Sequence, residues 1–121
     1  MKRSTIALAA ALLVVTPSLA HEAKGPHGGR IADAGSYHVE LIAKQQTVEL
    51  YVSDGSDKPV AATGFKAVAI LTAAGKPQRI VLEAVEPTRL TGNAAVALPA
   101  EPKGAVQLTT PDGRTTSARF N

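Results

Sequence analysis

The amino-acid sequence predicts an all-β protein, an immunoglobulin-like antiparallel β-sandwich of about seven strands, with a small barrel as the alternative architecture. Three observations predict it. From Ile31 onward, apolar residues recur with period two. Clusters of Gly, Pro and Asp interrupt that pattern at short intervals. No stretch beyond the first twenty residues carries the 3.6-residue period of an amphipathic helix.

Taken in order, residues 1–20 read as a signal peptide whose apolar part forms a helix. Lys2 and Arg3 supply the positive head, and Ile6 to Val15 is an almost unbroken apolar run. Ser18-Leu19-Ala20 gives the small-x-small pattern of a cleavage site. The run covers about ten residues, short of the roughly 20 that a membrane-spanning helix needs. Cleavage after Ala20 predicts a periplasmic or secreted chain with no membrane anchor. Residues 21–30, "HEAKGPHGGR", are polar and Gly-rich and read as a flexible lead-in. Residues 31–121 form the β domain.

"YHVELIA" alternates Tyr37, Val39 and Leu41 with His38 and Glu40. "TVELYVS" repeats the pattern, with Val48, Leu50 and Val52 opposed to Glu49 and Tyr51. A three-residue loop at Ala34-Gly35-Ser36 would place Ile31 across from Val39 inside and Arg30 across from Glu40 outside, with His38 opposite Ala32. "SDGSDKP" is turn chemistry, "FKAVAILTA" reads as a more fully buried strand, and Gly75-Lys76-Pro77 closes it. "RIVLEAV" follows, with Ile80 and Leu82 on one face. "AAVALPA" and "AVQLTT" are two further strands, and "TTPDGRTT" is a hairpin signature in which Gly113 accepts positive φ.

Composition bounds the function. The chain has no Cys and no Trp, two Tyr and two Phe. So few aromatics exclude stacking surfaces for nucleic acid or sugar. Loss of Lys2 and Arg3 with the signal leaves 11 basic against 10 acidic residues, too balanced for a polyanion binder. The serines show no nucleophile-elbow pattern, and the glycines fall at turns between strands, so the chain does not read as an enzyme.

The three histidines, His21, His27 and His38, all lie near the start of the processed chain. Cleavage after Ala20 would free the His21 α-amine, which can close a chelate with its own ring Nδ1. Both groups lose protons readily near neutral pH. His27, five residues on, can supply a second imidazole, completing a three-nitrogen set suited to Cu(II). The carboxylates near the cluster are Glu22, Asp33 and Glu40. His38 is harder to recruit, because position 27 on an extended first strand would lie roughly 16 Å from it. The two could meet only if the chain doubled back at Gly28-Gly29. Each histidine also has a plain reading as a solvated loop or strand residue. With Met1 gone, the processed chain holds no sulfur, which favours nitrogen-and-oxygen metals such as Cu(II) and Zn(II). An N-terminal copper set of this kind also occurs in oxidative polysaccharide monooxygenases, but no flat aromatic substrate surface accompanies it here.

Gly25-Pro26-His27-Gly28-Gly29, the hairpin "RIADAGSYHVELIAK" and Asp57-Lys58-Pro59 resemble the β-rich N-terminal domain of periplasmic adaptor subunits in cobalt–zinc–cadmium and copper efflux pumps. The resemblance covers residues 25–120. It implies a divalent-metal accessory role linked to heavy-metal resistance, with an efflux-system component as partner. The adaptor's helical hairpin has no counterpart in this sequence. The competing expectation is an envelope interaction domain that works without metal.

Overall fold

The computed structural model describes residues 23–121, and the expected signal-peptide helix lies outside them. The described residues are all-β and contain no helix. Nine strands form one antiparallel sheet: β1 (Ala23–Lys24), β2 (Arg30–Ala34), β3 (Tyr37–Lys44), β4 (Thr47–Ser53), β5 (Lys66–Ala73), β6 (Lys76–Glu86), β7 (Arg89–Asn93), β8 (Gly104–Thr109) and β9 (Thr115–Phe120). Their order across the sheet is β1-β2-β3-β4-β7-β6-β5-β8-β9.

The sheet curls until its ends approach. Arg30 of β2 lays its guanidinium carbon 5.4 Å from the centroid of the Phe120 ring and donates to the Pro102 and Asn121 carbonyls. At the other end of β2, a Cβ on Gly35 would stand 2.9 Å from Thr116 Oγ1 of β9. No ladder joins β2 to β9 among the described residues, so the barrel is nearly closed, with one seam. This corrects the expectation of a sandwich. A sandwich needs two separate sheets, whereas here the β4–β7 and β6–β7 pairings run the ladder continuously from one half to the other.

Alternation fills the interior. Val39, Leu41, Val48, Leu50 and Val52 point inward from β3 and β4, and Leu71, Ile80, Leu82, Leu90, Val106 and Leu108 meet them from the other half. Burying each such side chain contributes about 1.5–3 kcal/mol before chain entropy is subtracted. Small residues on β5 (Ala67, Ala69, Ala73) alternate with exposed or half-buried ones. That strand is therefore buried on one face only, not both as its apolar run suggests, and Ile70 and Val81 remain 41% and 49% exposed on the outside.

Three local readings change. The β2–β3 turn holds two residues, Gly35-Ser36, with Ala34 paired to Tyr37. Gly35, at φ 61°, occupies a first turn position that asks for positive φ. One residue fewer in the loop shifts the register, so Ile31 faces Glu40 and Asp33 faces His38, while Arg30 pairs with Leu41. The β5–β6 turn is Ala74-Gly75, both residues at positive φ, and Lys76-Pro77 already belong to β6. The stretch 94–100 is not a strand. It crosses the end of the barrel, Ala94 and Leu98 donating to the Gln46 and Gln45 carbonyls while burying their side chains. The strand beside it, β7, offers Leu90 as its only buried large apolar side chain, too little for alternation to reveal.

Candidate functional site

The "GPHGG" stretch folds back over the outer face of the sheet. β1 pairs Ala23 with Ile31 and Lys24 with Arg30, and between them Gly25 N donates to Gly29 O at 2.8 Å and Gly28 N to Gly25 O at 3.0 Å. The turn rests on one side chain from β3. Glu40 is only 4% exposed, and its Oε2 accepts the backbone N–H groups of His27 (2.9 Å) and Gly29 (2.8 Å). Its Oε1 lies 2.7 Å from His27 Nδ1. The backbone passes so close that a Cβ on Gly29 would come within 2.5 Å of the Leu41 carbonyl, and one on Gly25 would overlap the Glu40 carboxyl. Glycine is required at both positions by contact, not by φ.

The His27 ring stacks on Tyr51, centroid to centroid 3.6 Å and 5° from parallel. Tyr51 stands on β4 directly across from Glu40 of β3, so both belong to one outward row. Its hydroxyl donates to Glu49 Oε2 at 3.3 Å. Burial, reinforced by the Glu49 carboxylate, pushes the Tyr51 phenol above its ordinary value. Glu49 itself is held by Arg89 and Lys44, each at 3.5 Å.

One row along β3, His38 is wedged between two carboxylates. Its Nδ1 lies 2.8 Å from Asp57 Oδ1, and its Nε2 lies 3.1 Å from Asp33 Oδ1. Asp33 reaches it through the shifted β2–β3 register. Asp57 is brought by the 54–58 turn, which is closed by Asp54 N donating to Lys58 O and by Asp54 Oδ1 accepting the Ser56 and Lys58 N–H groups. Those two N–H groups hold the Asp54 carboxyl below the usual carboxylate range.

His27, His38, Glu40, Tyr51, Asp33 and Asp57 line one open cavity of about 910 Å³ on the outside of β2, β3 and β4. His21 and Glu22 lie outside the described residues. Among the described residues, no three His, Asp or Glu side chains are arranged to hold a metal ion. The geometry gives a reason: Asp33 and Asp57 approach opposite nitrogens of His38, and Glu40 is turned into the 25–29 backbone. Sequence reasoning did not anticipate Asp57 or Tyr51. The row shared by Glu40 and Tyr51 follows from pairing β3 with β4, but nothing in the local sequence signals that Asp57 bends back onto His38. Compared with known protein families, with curated proteins and with solved structures, the chain matches none of them.

Proposed function

We propose that the protein is a non-catalytic periplasmic accessory protein that binds Cu(II) or Zn(II) at its N-terminal segment and serves heavy-metal resistance or efflux. One observation carries the reading. His27 lines the cavity close to where the chain joins the sheet, Ala23 pairing with Ile31 beside Glu40. Processing after Ala20 would leave the amine and imidazole of His21 two residues from Ala23, at most about 7 Å of extended chain. Nitrogen donors flanked by carboxylates, with no sulfur, suit Cu(II) and Zn(II). The likeness of the "GPHGG" and "DKP" stretches to efflux-adaptor domains supports the same assignment, with an efflux-system component as recipient.

Calorimetric titration with Cu(II) tests this on three proteins: the exported chain, one with a glycine inserted ahead of His21, and His27→Ala. The exported chain binds one ion, and both alterations weaken binding by about tenfold or more, equivalent to about 1.4 kcal/mol. Equal, weak binding by all three would end the metal reading and leave a metal-independent envelope interaction domain.

A further inference from the structure

We infer that Glu40 is a positioning residue for His27: it fixes the ring as the Nδ1–H tautomer, so that Nε2 is the one nitrogen His27 offers a ligand. The consequence for metal rests on the function proposed above; the tautomer itself does not. An ionised carboxylate only accepts hydrogen bonds. Both oxygens of Glu40 are in use, Oε2 by two backbone N–H groups and Oε1 by His27 Nδ1, so the proton in that 2.7 Å contact sits on Nδ1. The side chain of Glu40 is 5% exposed and that of His27, which lines the cavity, 44%, so the contact reaches Nδ1 from the buried side of a partly open ring. Stacking on Tyr51 fixes the ring plane. A carboxylate that holds one imidazole nitrogen orients the ring and raises the basicity of the other, which is the usual support for a metal-binding histidine.

Two further features point the same way. Gly25 leaves room for the Glu40 carboxyl that a side chain would fill, and Gly29 lets the backbone pass against the Leu41 carbonyl and Glu40 Cγ, so the turn is fitted closely around Glu40. His38 provides the contrast. Carboxylates face both of its nitrogens, and neither is left for a ligand. His27, not His38, is therefore the described histidine that binds.

Nitrogen-15 NMR of the metal-free exported protein, at about pH 8 where a free imidazole is neutral, reads the tautomer directly. The native ring shows a protonated Nδ1. In Glu40→Gln, the amide oxygen takes over the two backbone N–H groups and the NH₂ turns to Nδ1 as a donor, which moves the ring proton to Nε2. Zn(II) affinity then falls about tenfold or more, as for other residues that orient a ligand, while His38→Ala stays within about twofold of native. A native ring protonated on Nε2 overturns the inference, and that measurement needs no variant to fold. A folded Glu40→Gln protein that keeps the Nδ1–H tautomer overturns it too. If the tautomer switches as described yet neither protein binds Zn(II) or Cu(II), Glu40 positions His27 and only the metal function falls.

Discussion

Two glycine-bearing turns stand at opposite ends of the described chain and close with the same pair of backbone hydrogen bonds, but the side chains that brace them come from different places. The turn at 110–114 is self-contained: Thr110 N donates to Arg114 O, Gly113 N to Thr110 O, and the Thr110 hydroxyl to the Asp112 carboxylate. The turn at 25–29 has the equivalent local bonds, Gly25 N to Gly29 O and Gly28 N to Gly25 O, and is clamped in addition by a carboxylate eleven to thirteen residues further along on β3. A locally closed turn needs only to join two strands. A turn clamped from a distance is fixed relative to the sheet beneath it, and it presents His27 over Tyr51 in one orientation. The 110–114 turn only joins β8 to β9, whereas the 25–29 turn sets His27 over the cavity.

Breaking the distant clamp has the largest expected effect. Glu40→Ala leaves two backbone N–H groups and a ring nitrogen without their acceptor, a loss of about 2–4 kcal/mol in urea unfolding. A cost below about 1 kcal/mol would mean that the turn does not depend on Glu40.

Glycine-to-alanine changes sharpen the comparison. Gly29→Ala forces a methyl against the Leu41 carbonyl and Ile42 Cγ1, costing about 2–3 kcal/mol. Gly113 has φ 87° with open space around it, so Gly113→Ala pays only backbone strain, about 1 kcal/mol. The same denaturation series ranks the two, and the reverse order would contradict the distinction between a turn limited by contact and one limited by conformation. Thr110→Val, which removes a buried hydroxyl from the local turn, costs about 1 kcal/mol in the same assay.

The smallest effect is one of pH. The Thr110 hydroxyl, helped by the Arg114 N–H, holds the Asp112 carboxyl below its ordinary value of about 4. A carboxyl lowered by folding adds stability that is fully present above that ordinary value and lost as pH falls through the lower folded one. The melting temperature of the native protein therefore declines between about pH 5 and pH 2 more steeply than that of Asp112→Asn. Identical slopes would show that the bond to Thr110 contributes nothing.

The same contrast explains what the sequence disclosed. "TTPDGRTT" names its own turn because every partner lies within five residues. The alternation of β3, β4 and β6 likewise reads directly as strands with an apolar inner face, and burial of Val39, Leu50 and Leu82 agrees, while burial of Glu40 and Glu49 on the outer face of β3 and β4 does not follow from it. The closure of the barrel is not visible in this way, since it depends on Arg30 meeting Phe120 ninety residues later. For the site, His27 and His38 can be picked out by residue type and position. Asp33 and Glu40 can be named as nearby carboxylates, but not the histidine each meets: a two-residue turn in place of three decides whether Asp33 or Ala32 faces His38, and only the folded-back backbone brings His27 to Glu40.

The most direct measurement is paramagnetic broadening in the ¹H–¹⁵N spectrum of the protein produced without residues 1–20, on addition of substoichiometric Cu(II). Signals of residues 21–29, with Glu40 and Tyr51 beneath them, should broaden first while those of the 110–114 turn stay sharp. Broadening that spares His27 and its neighbours, or that strikes both turns alike, would contradict the account.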